Sequence, residues 1–577
     1  MKLIIREYLA SLRERGELDA ILPDLLSQLG LNVFSRPARG TRQDGVDVGA
    51  VGSLDGGEEA VYLFSIKPGD LSRHSWDGNS QQALRPSLNE IVDSYLPHRL
   101  PVEHRDKKVV ICIALGGEVL EPVRQPLVGY IAQNSTDRIS FQEWNGDKIA
   151  SLIQSNFLRE DLLPANARSS LRKSLAMIDE PEVSYRHFAR LVQTLSDVAL
   201  EGDGKRVTSI RQLSLCLWIL FSWAREAKNT ESAFRASELA LLHAWELFKN
   251  FAGRNDSQFE AVATAFLSTF SAYQKTCNSF LGDNVLPFVD KRHALSVAVR
   301  GTCGLDVNLK LYDLLGRLSI DGIWSYWGVL RSIAGEEGGN EQLIAEWQER
   351  CGAVRDLILN NPALLLPASD DQAIDILISS WLLLTDRRNQ DFVRSWIAEI
   401  IERDIFAIKS NGKYPSIFSA YSELLDHPIS RDDEYRERAT AGSILYPTIA
   451  LLSALLGDQR TYRSVARVKT ELLKHCTFQF WYPDADTERS LYSDKGTHGA
   501  ALSELEMDRA SDNFLKQVFD ECKHSRHFDD LSAIKFDWWP LIMVACRHYR
   551  LPPPLHFFQK FYVAPGDSGI ADSIEGP

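Results

Sequence analysis

A layered α/β domain with a mixed sheet, followed by a large all-α region, is the fold class that this 577-residue chain predicts. Three observations predict it. Strand and helix periodicities alternate over the first 160 residues or so, where runs such as KVVICIAL at 108–115 are strand-like. From about residue 165 onward the pattern is amphipathic helix after helix, with short Gly, Pro or Asn/Asp breaks. The length itself exceeds what one hydrophobic core supports, so two or three domains are expected.

Residues 2–15 and 17–29 read as helices split at Gly16, and the second, ELDAILPDLLSQLG, ends on Gly30 as a C-cap would. LNVF at 31–34 reads as a strand. GVDVGAV and VYLFSIK follow it, joined by SLDGGEE, whose Asp55-Gly56-Gly57 is a hairpin signal. A polar helix near 80–96 precedes KVVICIAL, whose continuous β-branched run implies cover on both faces. RISFQEW at 138–144 is the last strand and GDKIASLIQSNF at 146–157 the closing helix. The order is helix, three strands, helix, strand, helix, strand, helix.

The expected domains are residues 1–164, helical regions 165–365 and 366–562, and a small acidic tail, 563–577, expected to be disordered. The softer boundary is NNPALLLPASDD at 360–371, where two prolines and an acidic pair interrupt the helices. The aromatic clusters WILFSW, IWSYWGV and FDWWPLI are expected in helix-packing core. No repeat of fixed period is visible.

The net charge of -14 argues against a protein that coats nucleic acid through bulk positive charge, so any such contact must be focal. Eight scattered cysteines without a CxxC pair, and no charged-then-apolar leader, point to a reducing, cytoplasmic setting. The apolar run LCLWILFSW at 215–223 falls far short of the ~20 residues that span a bilayer, so no membrane association is expected.

Two charges stand out in the apolar strands. Asp47 is set among Val46, Val48 and Val51, where a bare carboxylate is costly to bury, and Lys67 ends VYLFSIK. Alternation puts Val61, Leu63, Ser65 and Lys67 on one face and Tyr62, Phe64 and Ile66 on the other. A metal and a phosphate would relieve both anomalies at once.

This arrangement resembles the PD-(D/E)xK restriction-endonuclease superfamily, in which a helix is followed by strands carrying a metal-binding aspartate and then an acid-x-lysine. The resemblance covers about residues 1–160 and gives Asp47 the metal aspartate's place and Lys67 the catalytic lysine's. Ser65 stands where the second acid is expected; other members vary this position, and a serine hydroxyl would hold a metal-bound water without adding charge. The family's helix-borne acid has candidates in Glu17, Asp19 and Asp24, with Glu17 first, and Asp70 in KPGD is a replacement ligand within reach. FQEWNGDKIASLI resembles the segment that closes many such domains.

What the resemblance implies is a Mg²⁺- or Mn²⁺-dependent endonuclease acting on nucleic acid, foremost double-stranded DNA. Phosphate contacts are expected from Arg36, Arg39 and Arg42, and from Arg73 and His74 just past Lys67, although all five also read as solvated loop residues. The helical remainder is expected to sense, to form a homo-oligomer or to dock a protein partner, a layout familiar from bacterial anti-phage effectors. The alternative is a decayed nuclease fold serving as an adaptor that binds nucleic acid or protein.

Other motifs carry less. Cys522, His524 and His527 with Cys546 and His548 match no known zinc spacing, and GDGKRVTS at 202–209 lacks the glycine and strand of a phosphate loop and reads as an interhelical turn.

Overall fold

The structure, a computed structural model, describes residues 5, 6, 9, 18–35, 44–54, 56–78, 83–156, 165–200, 202–254, 257–299, 301–334, 340–494, 496–505, 507 and 510–562. Glu17, Arg36, Arg39, Arg42, Asp55, most of the expected 2–15 helix and the 563–577 tail lie outside the described residues. Two compact units divide the chain, Met1–Ser279 and Phe280–Pro577.

The first unit opens with the expected sheet. Helix Asp19–Gln28 leads into β1 (Asn32–Ser35), β2 (Val48–Gly52), β3 (Ala60–Lys67), β4 (Lys108–Leu115) and β5 (Ile139–Trp144). They lie in the order β1-β2-β3-β4-β5. The β1/β2 and β2/β3 pairs are antiparallel, whereas β3/β4 and β4/β5 are parallel, so the sheet is mixed. The helix stop is as expected: Gly30 takes φ +85°, and the Gly30 and Leu31 amides return to the Ser27 and Leu26 carbonyls.

Both faces of the sheet are covered. On one, Val61, Leu63, Ile111, Ile113 and Leu115 pack with Trp76, Leu84 and Leu88 from the segment between β3 and β4. That segment holds helices Arg73–Asp77 and Leu84–Glu90, the latter continuing as a π turn, Ile91–Tyr95. On the other face Phe64 meets Trp144 edge-on at 5.1 Å, Lys148 lies 4.7 Å over the Trp144 ring, and helix Gly146–Asn156 packs against helix Asp19–Gln28. The apolar continuity of KVVICIAL is thereby explained, since Val109 through Leu115 are all buried.

Helices Ala165–Ala176, Pro181–Ala199, Asp203–Glu226 and Glu231–Phe248 pack in succession after the sheet. The GDGKRVTS segment differs from expectation. Only Gly202, at φ +148°, precedes helix Asp203–Glu226, and residues 203–209 form its first turns, with Asp203 accepting from Arg206 and Arg254. Among the described residues this helix alone is long and apolar enough to cross a membrane, and 78% of its apolar window is buried inside the protein.

The second unit is built around helix Gly304–Ala334, which packs on Glu341–Asn360 and Ala373–Leu384. Residues 360–371 contribute the 3-10 turns Pro362–Leu365 and Asp370–Gln372. The aromatic clusters pack in core: Trp324 lies 5.4 Å from Trp327 and 6.2 Å from Trp538. One group of charges is netted, with Asp313 held by Arg317 at 2.8 Å and Arg547 at 3.5 Å, and Arg550 spanning Asp371 and Asp375.

Candidate active site

Asp47 is not in a strand. The ladder opens at Val48, which pairs with Phe64, yet the Asp47 amide also donates to the Phe64 carbonyl at 2.8 Å. The Asp47 amide thus reaches the residue with which Val48 pairs, and Asp47 itself lies beyond the end of the ladder and its alternation. Its Oδ2 accepts the Ile66 amide at 2.7 Å, the hydrogen bond that a further β2 residue would otherwise supply. The half-buried carboxylate therefore sits beside Ser65, Ile66 and Lys67, the stretch that sequence reasoning singled out.

Lys67 is 6% exposed, so the side chain does not run out into solvent. Ser65 is 0% exposed, and among the described residues its hydroxyl has no hydrogen-bond partner. By register their strand neighbours on β4 are Ile113 and Leu115, so alternation aims Ser65 and Lys67 at the layer containing Leu84 and Leu88. Asp19 and Asp24 ride on the helix that packs with Gly146–Asn156, on the Phe64–Trp144 side. The sheet thus lies between these helix acids and the direction that Ser65 and Lys67 take.

Asp70 is exposed, and its Oδ1 accepts the Glu118 amide at 2.8 Å. It pins the turn after β3 to the turn after β4. Backbone bonds at the same junction include those from Gly117 to Gly69 at 2.8 Å, from Leu71 to Glu118 at 2.8 Å and from Gly146 to Gly117 at 2.7 Å. A Cβ on Gly117 would lie 2.1 Å from Asp70 Oδ1, and one on Gly116 would lie 2.5 Å from the Leu9 carbonyl. These glycines let three loops cross at the carboxyl end of the parallel strands, the end where α/β sheets place ligands. Sequence reasoning passed over them, although a Gly-Gly pair ending a buried strand in LGGEV is a signal of close backbone approach.

Arg73 and His74 are exposed at the start of helix Arg73–Asp77, which Ser72 and Ser75 close with a capping box and Trp76 anchors. Among the described residues no three His, Cys, Asp or Glu side chains gather where a metal ion would be held, at the C-terminal Cys/His cluster included. Cys546 instead points its thiol at the Pro552 carbonyl, and burial pushes its pKa up, as it does that of Cys522 to about 12. No family model, curated protein or solved structure matches the chain.

Proposed function

We propose that the first unit is a Mg²⁺- or Mn²⁺-dependent endonuclease module, with double-stranded DNA as its foremost substrate. One observation carries the reading: a single carboxylate, that of Asp47, is fixed at the Ile66 amide, next in the chain to a buried lysine at the strand's end. An ionised carboxylate offers about four acceptor sites, so accepting the Ile66 amide does not by itself exhaust those of Asp47. A bound divalent ion would supply charge stabilisation of the pentavalent phosphorane. Lys67 would orient the attacking water and neutralise developing charge, and Ser65 would hold a water. Arg73 and His74, exposed just beyond, suit contacts to phosphate rather than to bases. The helical regions would sense a trigger, drive homo-oligomerisation or dock a protein partner, in the manner of anti-phage effectors.

A second reading has its own observation. Asp70 is engaged in loop pinning and Ser65 brings no charge, which suits a nuclease fold that has become a nucleic-acid or protein adaptor. Incubation of the purified protein with plasmid DNA and with RNA, in Mg²⁺ and in Mn²⁺, separates the two. Cleavage lost in both Asp47→Ala and Lys67→Ala supports the nuclease; cleavage that survives both removes the site, and none with any substrate or metal favours the adaptor.

A further inference from the structure

The second unit contains a cavity of about 310 Å³ that the nuclease reading does not use. Its wall includes Asp370, Asp371, Ile417, Gln479, Phe480 and Trp481, with no lysine or arginine among the described lining residues. These residues come from separate segments. Trp481 lies in the short hairpin of β6 (Phe480–Tyr482) with β7 (Ala500–Leu502).

The aromatic wall is held in place before any ligand arrives. Trp481 Nε1 donates to the His498 carbonyl at 3.2 Å. Gly499, at φ +85°, lies so close beneath the indole that a Cβ there would fall 1.8 Å from Nε1. The His498 ring meets the indole edge-on, with centroids 5.7 Å apart, and Trp481 lines the cavity.

The wall also carries two carboxylates, of which Asp371 is paired with a cation. Arg550 serves two carboxylates, reaching Asp371 at 2.8 Å and Asp375 at 3.0 Å. Asp370 has no cationic partner among the described residues; it accepts only the Ser443 hydroxyl and the Ile444 and Leu445 amides. Near enough to feel its charge lies Asp404, 0% exposed, whose carboxylate oxygens, like the buried Tyr446 hydroxyl, have no hydrogen-bond partner among the described residues. Burial, and then the Asp370 charge, push the Asp404 pKa well up. Buried polar atoms left unpartnered are rare in native structures, and here they lie near Asp370, the acid of the cavity wall that has no cationic partner among the described residues.

We propose that this cavity binds a small organic cation with a flat apolar body, of the amidinium or aryl-ammonium class. The volume lies at the lower end of small-ligand pockets. The cation would pair with Asp370 while the flat body lies along Trp481 and Phe480, with the Gln479 amide as a further hydrogen-bonding group. An anion is disfavoured by the acidic wall, and a bare metal ion by the aromatic one.

Benzamidine is the probe, with benzamide as its uncharged isostere and benzoate as the anion. Titration calorimetry on the full-length protein is expected to show saturable one-to-one binding of benzamidine, and no binding of benzoate. Loss of the charged hydrogen bond makes benzamide, or benzamidine with Asp370→Asn, roughly ten- to a hundredfold weaker. Trp481→Leu should weaken benzamidine as well. Equal binding of benzamidine and benzamide, no binding of either at millimolar concentration, or binding untouched by both substitutions overturns the proposal. Should Asp370→Asn fail to fold by circular dichroism, Trp481→Leu and Gln479→Ala decide it by the same criterion.

Discussion

The carboxylate of Asp47 takes the amide of Ile66 at 2.7 Å, across the open end of the β2/β3 ladder. A residue in that place has a structural duty whatever chemistry it performs. Asp47→Ala leaves a part-buried amide without its acceptor and is expected to cost about 1–3 kcal/mol in urea unfolding. Asp47→Asn keeps an acceptor oxygen and should cost less. If Asp47 also anchors a metal, the asparagine variant separates the two duties: nearly full stability, with cleavage gone.

Ser65 gives the opposite pattern. Its hydroxyl is buried without a partner, so Ser65→Ala should leave stability within about 1 kcal/mol of the parent or raise it, measured by thermal unfolding. On the nuclease reading, Ser65→Asp restores the acid that the superfamily carries and should lower the Mn²⁺ concentration for half-maximal cleavage. No change in that concentration counts against a metal at this end of β3.

Lys67 is enclosed, and methionine is an uncharged side chain of similar length. Lys67→Met is expected to keep the circular dichroism spectrum and cooperative unfolding while cutting any nuclease rate about 10²- to 10³-fold. A variant that cleaves at the parental rate removes the lysine from the mechanism.

In the second unit, Gly316 on helix Gly304–Ala334 marks a close approach. A Cβ there would lie 2.2 Å from Asp375 Oδ1 and 3.0 Å from the Arg547 side chain. Alanine normally stabilises a helix interior by about 1 kcal/mol relative to glycine. Here the sign reverses, because Asp375 is 1% exposed and tied to Arg550 at 3.0 Å. Gly316→Ala is expected to destabilise by about 1–3 kcal/mol in urea unfolding.

The pH dependence of that unit follows from Asp370, whose pKa burial lifts from its ordinary 3.8 to about 6 against the opposing pull of the Ile444 amide and the Ser443 hydroxyl. Between those values the folded protein holds more protons than the unfolded chain, so this group's contribution to stability falls as pH rises from about 4 to about 6. Asp306 acts with the other sign: the Tyr421 hydroxyl leads the contacts that lower it to about 2, so its contribution is present above 3.8 and is lost as pH drops toward 2. Unfolding curves at pH 4, 5 and 6 should be flatter for Asp370→Asn than for the parent, and an unchanged slope removes Asp370 as the source.

What the sequence revealed was periodicity, and what it hid was pairing across distance. KVVICIAL announces a strand covered on both faces, and Gly30 a helix stop, because each signal is local. That the ladder stops at Val48, one residue short of Asp47, is invisible in GVDVGAV, since a strand end shows only against its partner strand. Asp70 looked like a spare ligand because it lies three residues from Lys67, but the amide that claims it belongs to Glu118. GDGKRVTS read as a turn, yet one glycine suffices before the helix begins. The cavity walled by Asp370 and Trp481 assembles residues more than a hundred positions apart, which no spacing motif records.

The crossing of loops at Gly69, Gly117 and Gly146 couples their lengths. Each carries a backbone bond to the next, so one residue added to any loop would displace the other two. Insertions that adapt this sheet to new tasks must therefore enter elsewhere, and a library of loop variants built at these three turns should return almost only chains of the parental length.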